Sequence, residues 1–238
     1  EEAGDAAARL VERGSTAVKF DPIPPITPAP REVSLEELRY TDSVLKAIRD
    51  AVGDRADILV GTHGQLNTHS AIRFAKVIEP YDPQWFEEPV PPENMDEMAR
   101  MAEHASVPIA TGERLCTKHD FLALLQKKAA QIIQAHTGLN GIPELKKIAG
   151  MCEAFYAQIA PWMYCGPVAG AANIQVDVTT PNFFIQESIE DWSGFHSEIL
   201  KEPVVWEQGY VFPPGRPGLG VELDEKVLSR HPYIAAKR

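Results

Sequence analysis

Hydrophobic and polar positions along this chain follow two alternating periods. Short apolar runs rich in β-branched residues end in polar residues, and longer segments with apolar residues three or four positions apart lie between them. The short runs predict seven strands, at 16–21, 56–63, 84–88, 107–113, 130–136, 156–162 and 183–188. The longer segments predict helices. One of them begins with a capping box, Ser34 with Glu37, which satisfies free backbone N–H groups at a helix start.

The predicted strand ends recur at a nearly constant interval. The residues that close the strands are Lys19, Gly61, Glu87, Glu113, His136, Trp162 and Glu187. They lie 42, 26, 26, 23, 26 and 25 residues apart, and the long first interval holds a Pro-rich loop at 22–33. Such a period fits one strand and one helix per unit. Because repeated units of this kind need parallel strands with right-handed crossovers, the sequence predicts a (β/α) barrel.

Composition and charge narrow the class of protein. The chain has 238 residues, 44% of them hydrophobic, which is enough for a core without disulfides. Its net charge of −11 argues against nucleic acid or an anionic membrane as a partner. The three cysteines show no C-x-x-C spacing and are expected to be free thiols. With neither a membrane-length apolar run nor a recognisable signal peptide, the expected location is cytoplasmic.

Two glutamates at the predicted strand ends suggest a metal site. In a parallel barrel the carboxyl ends of all strands meet at one mouth, where active sites lie. Glu87 and Glu113 close consecutive strands, so their like charges would repel unless a cation lies between them. Mg²⁺ prefers such carboxylate ligands. The alternative is that each glutamate pairs with a nearby side chain, for example Glu113 with Arg114 or Lys118.

The other polar residues at the strand ends each allow two interpretations. His63 and His136 are candidate general acids or bases, or else histidines bonded to backbone at the rim of the barrel. Trp162 is a stacking wall for a substrate or a plug of the mouth. Lys19 neutralises a substrate carboxylate, or it pairs with Asp21 or another carboxylate of the mouth.

Six sequence motifs, taken in order, resemble one known family. They are AVKFDP, WFEEPVPPEN, VPIATGERL, APWMYCGPVAGAA, PNFFIQES and PGLGVELD. Together they resemble the mandelate racemase subgroup of the enolase superfamily, and most of all its galactonate dehydratase-type acid-sugar dehydratases. The resemblance implies a modified TIM barrel of enolase type at 1–198, incomplete at the N-terminus because its first strand is absent. It also implies a C-terminal extension, 199–238, that packs on a capping domain missing from this chain.

The resemblance implies dehydration of a small-molecule sugar acid, or a related cycloisomerisation, in a homo-oligomer. A proton leaves the carbon next to a carboxylate, and Mg²⁺, or alternatively Mn²⁺, stabilises the resulting enediolate before a β-hydroxyl departs. Glu87 and Glu113 match two metal ligands of the family, and Glu187 matches its electrophilic glutamate. His63 matches the acid for the leaving hydroxyl, and Lys19 matches the first lysine of the second-strand motif.

Several positions depart from the family pattern. Gly61 stands in place of an aspartate ligand, and Trp162 and His136 stand in place of the usual histidine base and its aspartate partner. Asp21 stands where relatives often have a second lysine, and with Trp162 it is a candidate substrate-binding residue. We therefore expect either a dehydratase with a base rebuilt on His136 or a catalytically impaired or non-catalytic homologue. A chain that opens in mid-helix also suggests an incomplete form of an active parent.

Overall fold

A parallel β-sheet forms the centre of the molecule. The computed structural model describes residues 2–24, 28–188 and 192–232. The six strands pair in chain order: β1 (Ala17–Phe20), β2 (Asp57–Gly61), β3 (Trp85–Glu87), β4 (Ile109–Thr111), β5 (Ile132–Ile133) and β6 (Gln158–Ile159). This confirms the predicted parallel α/β architecture. A single parallel bridge from Ile159 to Phe183 marks the seventh predicted strand, and the sheet does not close into a barrel within the described residues.

Helices cover the outer face of this sheet. Seven of them follow or precede the strands: α1 (Glu2–Glu12), α2 (Leu35–Val52), α3 (Thr68–Ile78), α4 (Met95–His104), α5 (Lys118–Gln126), α6 (Thr137–Ala154) and α7 (Pro167–Asp177). The predicted capping box of Ser34 and Glu37 is present at the start of α2. α6 is kinked where Gly141 takes a φ of 71° ahead of Pro143. No helix in the described part of the chain is long and apolar enough to cross a membrane.

Alternate residues of each strand face two different apolar layers. Ile58 and Val60 belong to the large core between sheet and helices, where Phe74 stacks on Phe86 at 5.2 Å. Leu59, between them in sequence, belongs to a second, interior cluster, which consists of Leu59, Trp85, Ala110, Ile132 and Ala160. Because strand side chains alternate between faces, nearly continuous apolar runs are what a sheet buried on both sides requires.

The C-terminal residues form a small extension on this framework. It contains α8 (Phe195–Glu198), the antiparallel hairpin β7 (Trp206–Glu207) and β8 (Tyr210–Val211), and α9 (Glu225–Leu228). The turn of this hairpin is Gln208–Gly209, and a Pro/Gly-rich run follows it. Packing of 199–238 on a capping domain stays a prediction, as do the domain bounds; residues 233–238 lie outside the described ranges.

The hairpin turn fits tightly against the chain before β1. Gly209 has a φ of 78°, and a Cβ added there would lie 2.1 Å from the carbonyl oxygen of Gly14. We expect Gly209→Ala to lower the free energy of unfolding by at least about 1 kcal/mol, because the positive φ and the clash both oppose a side chain. The control is Gly215→Ala, since no atom lies within 4 Å of an added Cβ there. Equal melting temperatures of the two variants would contradict this packing.

Candidate active site at the carboxyl ends of the strands

A lysine between two glutamates lies at the centre of the mouth. Lys19 Nζ donates to Glu87 Oε1 at 2.7 Å and to Glu187 Oε1 at 2.5 Å. Burial alone would lower the pKa of Lys19, but the two carboxylates raise it above its ordinary value. Burial raises the pKa of Glu187, against the opposite effect of Lys19. Lys19 is therefore a permanent cation that joins β1, β3 and the segment after Phe183.

Glu87 is fully buried and receives a second hydrogen bond. Its Oε2 accepts from Gln134 Nε2 at 2.6 Å, one residue beyond β5. The sequence interpretation missed Gln134. The position of Gln134 in the sequence could have revealed it, because Gln134 lies two residues before His136 and therefore on the same face of an extended strand. With Lys19 and Gln134 as donors, the buried carboxylate of Glu87 is satisfied as burial of a charge requires.

A second cluster joins His63 to Asp21. His63 Nδ1 donates to Asp21 Oδ2 at 2.7 Å. That hydrogen bond raises the pKa of His63 to about 9, against the lowering effect of burial and with help from the charges of Asp21, Glu113 and Glu87. His63 has a φ of 51°, and the next residue donates its backbone N–H to the carbonyl of Glu88 at 2.6 Å. The loop after β2 thus holds the ring toward β1.

Three side chains of the mouth lie close enough to share one cation. A ring nitrogen of His63 and carboxylate oxygens of Glu87 and Glu113 all lie within 4.8 Å of one another. Glu87 is buried, Glu113 is half-buried and His63 is exposed. One nitrogen and two carboxylate donors suit a divalent cation, so the residues present fit the metal that the resemblance implies.

The proposed alternative partners of Glu113 are engaged elsewhere. Arg114 pairs with Glu88 and with Glu93, each at 3.3 Å, and Lys118 pairs with Glu144 at 3.0 Å. Glu88 is buried, and burial raises its pKa to about 7 despite the charge of Arg114. Because Arg114 and Lys118 have other acidic partners, the prediction that Glu113 binds a metal ion is retained.

His136 and Trp162 form a pair of their own. Their ring centroids lie 4.0 Å apart with the planes inclined at 59°. His136 caps α6, its Nδ1 accepting the backbone N–H of Gly138 at 3.0 Å, and burial lowers its pKa. The neutral ring therefore carries its proton on Nε2. The backbone-bonded interpretation of His136 is observed, whereas its catalytic role and that of Trp162 stay predictions.

Comparison with known proteins places this arrangement in a family. The profile described as enolase C-terminal domain-like matches residues 2–227. The D-gluconate dehydratase of Thermoproteus tenax is 34% identical over 229 residues, covering 95% of this chain and 46% of that protein. The D-galactonate dehydratase of Ralstonia pickettii is 37% identical over 193 residues, covering 76% of this chain and 49% of that protein. The chain thus spans about half the length of these curated relatives.

Solved structures agree with this placement. A Burkholderia SAR-1 protein assigned to the mandelate racemase/muconate lactonizing enzymes superimposes with a TM-score of 0.96 at 51% identity, over 99% of this chain and 59% of that one. A mandelate racemase/muconate lactonizing enzyme-like protein of Roseovarius sp. TM1035 gives 0.93 at 45% identity, over 98% and 59%. The arrangement of parallel strands around the mouth is shared with both.

The hydrogen bond between Asp21 and His63 makes stability depend on pH. A histidine whose pKa rises from about 6.5 unfolded to about 9 folded stabilises the protein fully below pH 6.5, and this contribution is lost as the pH rises through 9. In chelator-treated protein, the urea-unfolding free energy should fall over this window in the wild type and fall less in Asp21→Asn. His119→Asn, which alters an exposed histidine of α5, should behave as the wild type. Identical pH profiles for wild type and Asp21→Asn would refute the pair.

Proposed function

We propose that this chain, which belongs to the enolase C-terminal domain-like family, dehydrates a sugar acid at the carboxyl ends of its strands. The reaction would begin with removal of the proton on the carbon next to the substrate carboxylate. The observation that carries this proposal is the proximity of His63, Glu87 and Glu113, with Lys19 bonded to the same Glu87. The dehydratase names of the relatives from Thermoproteus tenax and Ralstonia pickettii support the substrate class.

The cation would be held by Glu87 and Glu113. A divalent metal bound there would withdraw electron density from the substrate carboxylate and so make the neighbouring proton more acidic. The ammonium group of Lys19 would also make this proton more acidic, because it stays protonated and can donate a hydrogen bond to an oxygen on which negative charge develops. Glu187 lies on the opposite side of Lys19, and burial raises its pKa, which favours the protonated form that can donate a hydrogen bond.

Protonation states restrict which group can act as the base. Lys19 and His63 both have raised pKa values and stay protonated at neutral pH, so neither takes up a proton. His136 is neutral there because burial lowers its pKa, and we assign the base to it. Proton uptake at its Nδ1 would replace the hydrogen bond from Gly138. We assign the proton for the departing hydroxyl to His63, with Glu187, whose pKa burial raises, as the second candidate donor. Asp21 and Trp162 are assigned as substrate contacts.

A second function is favoured by one specific observation. Gly61 offers no side chain to a cation, and Lys19 with its two carboxylates already forms a closed group in the protein itself. This supports a non-catalytic homologue in which the mouth binds a sugar acid without turnover. The two functions differ in one measurable outcome, the appearance of product.

Activity should depend on Glu113. With Mg²⁺ or Mn²⁺ and a set of aldonates, we expect a 2-keto-3-deoxy product, measured by mass spectrometry, at a rate that falls about a hundredfold in Glu113→Gln because a cation ligand is lost. Glu103→Gln, which removes an exposed carboxylate of α4, is the matched control. If no aldonate or aldarate yields product with either metal, the non-catalytic function replaces the dehydratase.

A further inference from the structure

The space beside Gly61 is filled by a side chain from the neighbouring strand. A Cβ built on Gly61 would lie 2.4 Å from Asp21 Oδ1 and 3.5 Å from Asp21 Cγ. Within an aspartate, bond lengths of about 1.5 and 1.25 Å put each carboxylate oxygen about 2.4 Å from its own Cβ. The carboxylate of Asp21, just after β1, therefore occupies the space that an aspartate side chain at position 61 would fill. Gly61 is in register with Glu87, at the same depth of the mouth.

The second oxygen of Asp21 orients His63. The contact of 2.7 Å uses His63 Nδ1, so Nε2 is the nitrogen at which a cation would bind, in place of the proton that the metal-free ring carries there. Histidines that bind metals commonly donate their other ring N–H to a carboxylate, which fixes the ring orientation and tautomer. Asp21 and His63 are thus arranged as in such sites, with the imidazole facing the position of the cation and the carboxylate behind it. Carboxylate oxygens of Glu87 and Glu113 lie within 4.8 Å of a ring nitrogen of His63.

The charge around the mouth favours binding of a cation. Among the described residues that meet there, four acidic side chains lie around two cations, Lys19 and the protonated His63; they are Asp21, Glu87, Glu113 and Glu187. Lys19 contacts Glu87 and Glu187, whereas no ion pair of Glu113 is observed in the described ranges. Glu113 is therefore the carboxylate of this group that has no ion pair in the described residues, and it lies beside His63, where a cation could replace the His63 proton.

We propose that His63 Nε2 replaces the carboxylate ligand missing at position 61, so that His63, Glu87 and Glu113 form a site that prefers Mn²⁺ to Mg²⁺. The proposal rests on the proposed function only for the presence of a cation at this mouth. Its physical basis is donor type, because Mg²⁺ selects oxygen ligands whereas imidazole suits the transition metals. With a cation bound at Nε2, His63 would serve as a ligand and would no longer hold a proton on that nitrogen.

Aspartates at positions 21 and 61 would compete for one space. An aspartate at position 61 would require the Asp21 carboxylate to move, since the added Cβ already lies 2.4 Å from Oδ1. The space between the two strands therefore holds one carboxylate. In this protein residue 21 supplies it, and in the double variant Asp21→Gly/Gly61→Asp residue 61 would supply it. Exchanging both residues should convert the site to three carboxylates and shift its preference toward Mg²⁺.

The first experiment measures nitrogen coordination directly. Mn²⁺ is added to the intact chain, its affinity is measured by calorimetry, and pulsed EPR is used to detect ¹⁴N coupling to the bound ion. We expect Mn²⁺ to bind at least about tenfold more tightly than Mg²⁺, with a ¹⁴N signal. The signal should disappear in His63→Asn and persist in His119→Asn. Circular dichroism checks that both variants fold. The ¹⁴N signal of the wild-type protein tests the proposal even if a variant fails to fold.

The second experiment tests the contribution of Asp21. Asp21→Asn should weaken Mn²⁺ binding by about tenfold, because the outer carboxylate no longer holds the imidazole. The double variant Asp21→Gly/Gly61→Asp should bind Mg²⁺ more tightly than the wild type does, whereas Gly61→Asp alone should not, because Asp21 occupies the space.

The possible outcomes separate this proposal from the proposed function. Bound Mn²⁺ without ¹⁴N coupling, or coupling that survives in His63→Asn, would overturn the role of His63 while leaving a metal-dependent dehydratase intact. Failure of Mn²⁺ and Mg²⁺ alike to bind the wild type would overturn both. A ¹⁴N signal without turnover of any sugar acid would support the ligand set and reject the dehydratase.

Discussion

The buried carboxylate of Glu87 is the constraint on which the mouth depends. A charge without solvent must be compensated locally, and here Lys19 and Gln134 do so from strands on either side. Lys19 can reach Glu87 because β1 and β3 both pair with β2, and its second bond extends the group to Glu187. One ammonium group therefore fixes the relative positions of three chain segments that are far apart in sequence. The chemistry proposed for the site requires this same rigidity, because donors for a developing negative charge must already be in place.

Much of the fold follows from the sequence because burial on both faces imposes a readable pattern. The strand signals at 56–63 and 84–88 are strong since both layers demand apolar residues, and they appear as β2 and β3. The signal at 130–136 shortens to Ile132–Ile133, because His136 leaves the strand and caps α6. The strand predicted at 183–188 is reduced to a single bridge between Phe183 and Ile159. In the described residues there is no further strand beyond it with which it could pair.

The candidate site was predictable in its charged residues and not in their contacts. The spacing of Glu87 and Glu113 indicates that they share the mouth, since strand ends in a parallel sheet converge. The contact between Asp21 and His63 depends on a loop with positive φ at His63, which no periodicity encodes. Gln134 was missed because an amide carries no obvious chemistry; its importance comes only from the buried charge that it contacts. The lack of a side chain at Gly61 was visible, but the carboxylate that fills its space comes from another strand.

The close approach of Gly14 and Gly209 has a consequence for how the chain is made. These residues are 195 positions apart, yet their backbones touch beside the first strand. During synthesis, the turn before β1 emerges from the ribosome long before its partner hairpin. The contact between Gly14 and Gly209 therefore forms only after the residues between them have been translated, and contacts of such long sequence separation form slowly because a long loop must close first.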